Sequence, residues 1–368
     1  MSNSVDRVID DAIARKTIVG AETVVLKGGE IVYRRVAGHL DREAGVAMPE
    51  NAIYLLASVT KPVVACTALA MADKGLLRLA DRVDSYLPYF QPRLEDGSIA
   101  AITLHHLLTH TAGLGYSYPD DPEITMGLQD TDLDHEGNLS RIARQKLLFT
   151  PGTGWNYSCA IDVLGAVLAA IDGGTLGDAV HKHVTGPLDM TETGFFVADR
   201  KRLASPYADG VPEPVPMGDN YVLVDADGDR SLFSPVRIFN PKAFQSGGAG
   251  MAGTAGDLLK FFEAMRLGGQ GIVSAETIAQ ATQNQIGALV RGDAGMRFGY
   301  LGAVVDDPAA AKTPESAGTY NWGGVYGHSW LVDPANELVM LSMTNTAVEG
   351  CNGVYPRNVR NAVYAEFA

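Results

Sequence analysis

Ser58-Val59-Thr60-Lys61 stands where an apolar run, residues 53–57, meets an Ala-rich stretch over 63–74 that stops at Gly75. That stretch reads as a buried helix with a glycine end. A serine at a helix start is ordinary capping chemistry. A lysine three residues later adds something else, because it projects from the same side one turn on. Serine is a weak nucleophile until a base takes its proton. Lysine can be that base if desolvation or nearby cationic charge lowers its pKa, and the apolar flanks on both sides predict burial. The helix N-terminus adds a positive dipole that favours an oxyanion. Pro62 falls in the first turn, where its missing N–H costs little.

Two further segments carry chemistry. Pro151-Gly152-Thr153-Gly154-Trp155-Asn156-Tyr157-Ser158 ends in a tyrosine just before a helical run at 161–171. A tyrosine there can relay a proton between nucleophile and leaving group; the plainer role is a buried ring with its hydroxyl bonded locally. Trp322-Gly323-Gly324-Val325 lies in a β-rich run near the C-terminal end. Paired glycines in a strand mark a bulge or admit a close neighbour. An oxyanion hole needs two N–H donors aimed at one point, which Ser58 and this strand can supply.

In this order and spacing the three segments resemble the SxxK serine hydrolases: class C β-lactamases, D-Ala-D-Ala peptidases, family VIII carboxylesterases and related acyltransferases. The likeness extends to residues 81–88, 102–114, 246–257 and 327–334, nearly the whole chain. It implies an acylated Ser58, proton transfer by Lys61 and Tyr157, and an oxyanion held by the backbone N–H groups of Ser58 and Val325. Two departures point to the esterase and acyltransferase branch. Tyr157-Ser158-Cys159 replaces Tyr-x-Asn, and Trp322-Gly323-Gly324 replaces Lys-Thr-Gly. The amide, cation and hydroxyl that hold a β-lactam or peptide substrate are thereby missing. Trp322, Gly323, Gly324, Trp155 and Cys159 are the expected substrate contacts. Tyr116, Tyr118 and Trp330 are pocket walls by proximity alone. The implied activity is hydrolysis of short- to medium-chain esters, with acyl transfer, or weak β-lactamase or D-amino-peptide hydrolysis, as the alternative. A stalled penicillin sensor, which needs an export signal or tether, is a further class.

Other motifs dissolve on inspection. Gly248-Ala249-Gly250-Met251-Ala252-Gly253 fits GxGxxG but follows no strand of a βαβ unit. Gly327-His328-Ser329-Trp330-Leu331 lacks the final glycine and the strand-to-helix elbow of GxSxG. His106 and His110 have zinc-helix spacing without the glutamate, so structural histidines are expected and no metal. Asp225, Asp227 and Asp229 open like an EF-hand but lack its glycine and last glutamate. His181 and His183 read as surface residues. No cofactor is called for.

The elements that must position these residues follow from periodicity. A helix is expected at the start, where Val5, Val8, Ile9, Ala12 and Ile13 recur at helical spacing. Residues 21–26 and 31–36 form a hairpin about Gly28-Gly29. Helical patterns recur at 104–108, 141–148, 161–171 and 258–267, the last behind a capping-box-like Thr254/Asp257 pair. Strands are expected near 320–326, 329–332 and 338–344, then a helix with Pro356 near its start. Strands at both ends and helices between give an α+β fold, a sandwich of antiparallel sheet and flanking helices. The domains are then 1–80 with 231–368, and an inserted helical region at 81–230, with the site at their seam.

Composition narrows the partners. Of 368 residues 46% are hydrophobic and the net charge is −14, enough for a large core and unfavourable to nucleic acid or anionic membranes. The expected partner is a small-molecule ester, with a homo-oligomer left open. Three scattered cysteines and no apolar leader suit a cytoplasmic location.

Overall fold

The structure, a computed structural model, describes residues 3–121, 123–224 and 230–368. At its centre lies an eight-stranded antiparallel sheet drawn from both ends of the chain. β1 (Gly20–Lys27), β2 (Glu30–Asp41) and β3 (Val46–Ala47) come from one end. β4 (Met296–Phe298), β5 (Ala303–Val305), β6 (Tyr320–Gly324), β7 (His328–Asp333) and β8 (Leu338–Thr344) come from the other. The order is β4-β5-β6-β7-β8-β1-β2-β3, so the two ends meet where β1 pairs β8, Val24 opposite Leu341. Gly28 and Gly29, at φ +59° and +87°, make the β1–β2 turn, a conformation that only glycine adopts freely at both positions.

The main helices are α1 (Ser4–Ala14), α2 (Thr60–Asp73), α3 (Ala160–Asp172), α4 (Ala255–Arg266) and α5 (Val354–Phe367). Period-two alternation in β1 sends Val25 to one face and Val24 and Leu26 to the other. On the first face, Val25, Leu331 and Met340 pack with Val5 and Ile9 of α1 and Val359 and Val363 of α5. On the second, Val332 and Leu341 pack with Leu258, Phe261 and Phe262 of α4 and with apolar residues of α2. Each such side chain contributes roughly 1.5–3 kcal/mol on burial. α2 is buried on all sides from Thr60 to Met71, which explains its uniformly apolar sequence.

The middle of the chain holds helices Leu104–Leu108, His135–Ile142, α3 and Leu176–Val180. The helix expected at 141–148 is instead His135–Ile142. Asp134 caps it, its carboxylate accepting the Gly137 N–H at 2.7 Å, and the chain turns after Ile142, with Gln145 N–H donating to Ile142 O. Short strands occur here as well: Tyr207–Ala208 pairs in parallel with Thr346–Ala347, next to β8. Thr254 caps α4 as expected, but the Asp257 carboxylate turns away to accept Glu192 N–H and Thr193 Oγ1–H, at 2.8 and 3.0 Å. His183, expected at the surface, is 2% exposed. Asp225, Asp227 and Asp229 lie outside the described residues. Among the described residues no single helix is long and apolar enough to cross a membrane.

Candidate active site

Strand Ile53–Leu55 ends in a tight turn, Ala57–Val59, that leads into α2. Ala57 has φ +43°, a left-handed conformation that costs a residue bearing a Cβ roughly 1–2 kcal/mol. The turn is braced from two sides. Ile53–Leu55 pairs with Ala252–Thr254, and Leu56 N–H donates to Met251 O at 2.9 Å. On the other side Gly324 closes β6 against it: a Cβ there would lie 2.4 Å from Leu56 O, so glycine is required. This contact brings Val325 beside Ser58, and both line one cavity of about 660 Å³.

Ser58 is 8% exposed and Lys61 6%. Lys61 Nζ donates to Ser58 Oγ at 3.1 Å and to Gly248 O at 2.7 Å. The Tyr157 hydroxyl donates to the same Ser58 Oγ at 2.8 Å. Tyr157 is held by its loop and by rings around it. Asn156 N–H donates to His110 O, and Ser158 N–H donates to His110 Nδ1 at 3.2 Å. Tyr116 stacks on the Tyr157 ring at 5.3 Å, and His110 packs against it at 4.7 Å. Trp322 Nε1–H donates to Tyr157 Oη at 3.2 Å.

Burial was expected to lower the Lys61 pKa. Desolvation does act in that direction and is the largest single influence. The electrostatic pull of the Tyr116 and Tyr157 phenol oxygens, the Tyr157 hydrogen bond and the Asp162 carboxylate together outweigh it, and the net shift is upward. Lys61 is therefore an ammonium in the resting site. Burial, with the Lys61 charge, holds His110 well below its ordinary value, so its ring is neutral. Burial pushes Tyr116 up to about 12.

Asp162 escaped the sequence reading. It is buried on α3, accepts from Ser246 Oγ–H, and accepts Gly248 N–H at 3.3 Å. Gly248, through its N–H on one side and its C=O on the other, thus links the Asp162 carboxylate to the Lys61 ammonium. Burial raises the Asp162 pKa while Ser246 and Lys61 oppose it. Two glycines of this loop find their reason here: a Cβ on Gly247 would lie 2.4 Å from Ile161 O, and one on Gly248, the first of the GxGxxG glycines, 2.6 Å from Asp162 Oδ2. They let the loop lie on α3. A serine and a carboxylate far apart in sequence gave no signal of this meeting.

The expected substrate contacts divide. Trp322 and Gly323 line the cavity, with Leu128, Leu223, Phe233 and Tyr116. Gly324 faces protein instead. Cys159 is completely buried, its thiol against the Tyr118 hydroxyl at 3.5 Å; the start of α3 turns its side chain into the core, and burial pushes the thiol up to about 12. Trp155 stands behind Trp322, packed on Phe298 at 5.5 Å. Trp330 is among the residues lining the cavity, as expected, though its ring stacks on Phe262 at 4.3 Å in the core. His106 Nδ1 accepts Thr103 N–H at 3.2 Å, a structural task like that of His110.

Comparison with known proteins fits this geometry. Residues 5–363 match the family model described as Beta-lactamase. The chain is 48% identical over 372 residues to Esterase EstB of Burkholderia gladioli, covering 98% of this chain and 94% of that protein. It is 25% identical over 345 residues to Lovastatin esterase of Penicillium rubens, covering 84% of each. Among solved structures, EstCE1, a hydrolase with promiscuous acyltransferase activity, superposes with a TM-score of 0.94 at 38% identity, covering 98% of this chain and 97% of that one. Simvastatin synthase (LovD) from Aspergillus terreus shares the fold, with a TM-score of 0.77 at 21% identity, over 99% and 98%.

Proposed function

The chain belongs to the beta-lactamase family and is a serine hydrolase of its esterase branch, and on that premise we propose that it hydrolyses short- to medium-chain carboxylic esters through a Ser58 acyl-enzyme. One observation carries the reading: Ser58 Oγ receives both the Lys61 ammonium and the Tyr157 hydroxyl in a cavity whose lining includes Leu128, Leu223 and Phe233.

When Tyr157 releases its proton to solvent in the cavity, since Lys61 is already protonated, the short contact to Ser58 reverses and the serine hydroxyl donates to the phenolate. Lys61, as ammonium, and the Trp322 N–H stabilise that phenolate. Ser58 Oγ then attacks the ester carbonyl as its proton passes to Tyr157. The carbonyl oxygen gains the negative charge between the N–H groups of Ser58 and Val325. As the tetrahedral intermediate collapses, the C–O bond to the alcohol breaks and Tyr157 protonates the departing oxygen. Water repeats the sequence on the acyl-enzyme: Tyr157 takes its proton, and Ser58 leaves with that proton restored. An alcohol in place of water gives acyl transfer by the same steps.

The apolar walls of Leu128, Leu223 and Phe233 support an uncharged acyl chain. The net charge of −14 supports a small-molecule partner over nucleic acid or membrane. Three unpaired cysteines support a cytoplasmic location. Intact-protein mass after brief incubation with p-nitrophenyl butyrate tests the reading. One butyryl group on the peptide containing Ser58 is expected. Turnover without any acylated protein, or acylation elsewhere, overturns it.

A further inference from the structure

Arg291 sits on the loop that enters β4, and its side chain is nine-tenths buried at the cavity that opens on Ser58. Its Nη2–H donates to Asp293, while Nε and Nη1 are buried with no hydrogen-bond acceptor. Burying a cation with unanswered donors is costly. Two indoles meet that cost. The guanidinium carbon lies 5.4 Å from the centre of the Trp155 ring and 5.1 Å from that of Trp322, within reach of the negative ring faces.

The two rings come from different parts of the site. Trp155 is two residues before Tyr157 on its loop, and Trp322 is on β6. A single side chain therefore fastens the Tyr157 loop to the strand that carries the Trp322 donor. From there the contacts run inward: Trp322 Nε1–H to Tyr157 Oη at 3.2 Å, then Tyr157 Oη to Ser58 Oγ at 2.8 Å. The buried contacts leave little of the guanidinium for a ligand, because Asp293 occupies one nitrogen and the others are covered.

We propose that Arg291, aimed by Asp293, is a positioning residue for proton transfer: it holds the Trp322 indole so that its N–H stays on the Tyr157 oxygen. The inference rests on the reading of Ser58 and Tyr157 as nucleophile and proton carrier. A loosened indole withdraws a donor from Tyr157 as negative charge develops there. The chemical step then slows, while the apolar walls at Leu128, Leu223 and Phe233, which Arg291 does not touch, remain to bind the acyl chain. Loss of Arg291 should appear in kcat more than in KM.

A double-mutant cycle tests this, using full-length protein and p-nitrophenyl butyrate: wild type, Arg291→Met, Trp322→Phe and the double variant, each with kcat, KM, Tm and a kcat–pH profile. Arg291→Met should lower kcat about tenfold with KM within about twofold, and move the rising limb of the profile to higher pH. In the Trp322→Phe background the same change should cost less than about twofold, since the contact it acts through is gone. Arg291→Lys should recover most of the rate. Full additivity of the two substitutions, an effect confined to KM, or an unchanged kcat in folded Arg291→Met each overturns the proposal. If Arg291→Met does not fold, Asp293→Asn, which releases the guanidinium, carries the same cycle. Mass spectrometry of wild type after rapid mixing separates the two levels. No acyl group on Ser58 overturns the functional reading and this inference with it, whereas acylation with an additive cycle overturns the inference alone.

Discussion

The two ends of α2 each present a lysine beside a buried polar partner, with an aspartate beyond it. At the start, Lys61 donates to Ser58 and Gly248, and Asp162 lies behind the Gly248 peptide. At the other end, Lys74 meets His183 Nδ1 at 2.9 Å, and His183 Nε2 meets Asp172 at 3.1 Å. By residue type the second set looks the more catalytic, a histidine between a cation and a carboxylate. Among the described residues no hydrogen bond joins it to a serine or cysteine, Lys74 is exposed, and the cavity that Ser58 lines is at the other end. The lysine and aspartate therefore brace packing at one end, where Asp172 also holds Lys182 at 2.7 Å. At the other they poise a hydroxyl. Charge near charge does not make a site; a nucleophile at a cavity floor does.

The contrast is broken most severely at Ser58. Ser58→Ala should leave the fold intact and less than about a hundredth of the ester turnover, because nucleophile and proton carriers act as a unit. A folded variant above that level removes Ser58 from its role. Lys61→Ala and Tyr157→Phe should each lower kcat by roughly two to four decades, the range for a positioned proton carrier. Steady-state kinetics beside matched unfolding curves would check both, and near wild-type turnover in Tyr157→Phe would reduce that residue to a packing role.

Substrate choice sharpens the comparison further. On one preparation, kcat/KM for p-nitrophenyl butyrate should exceed that for nitrocefin by at least about a hundredfold, the consequence of a substrate carboxylate losing charge-assisted contacts worth roughly 1.5–3 kcal/mol each. The cavity lining does contain cations, Arg291, Arg357 and Arg360, but Asp293 and two indoles engage Arg291, Glu315 pairs with Arg360, and none stands at the strand position of the missing lysine, which Trp322 occupies. A nitrocefin value at or above the ester value returns the chain to the lactamase branch.

The smallest effects belong to the far end of α2. His183→Gln should leave kcat within about twofold and lower stability by roughly 1–3 kcal/mol, the cost of disturbing a buried hydrogen-bonded group. Burial holds His183 below its ordinary value of 6.5, with the Asp172 hydrogen bond opposing. The unfolded chain then binds the proton more readily, so this contribution is intact above pH 6.5 and fades as pH falls below it. Thermal unfolding from pH 8 to pH 5 should therefore decline less steeply in His183→Gln than in wild type. A large loss of kcat in that variant would erase the distinction between the two ends.

Much of this molecule was legible in its sequence, because the signals were local. Helical periodicity marked α1, Gly28-Gly29 marked the first hairpin, and three-residue spacing set Lys61 on the same side as Ser58. The WGG run fell on the strand that packs against the Ser58 turn. What failed was whatever depends on distant packing. The helix at His135–Ile142 was displaced because the Asp134 cap outweighed the apolar pattern downstream. Cys159 faces the core because α3 begins there in that rotation. His183 is buried because the turn after Leu176–Val180 folds under the end of α2. The direction of the Lys61 shift was the most consequential miss. Apolar neighbours in sequence predict desolvation, but the phenol oxygens of Tyr116 and Tyr157 and the carboxylate of Asp162 arrive from segments about 55 to 100 residues away. Sequence by itself determined which groups could react. Tertiary structure decided their protonation and their access, since both depend on charges and walls that only folding brings within a few ångströms.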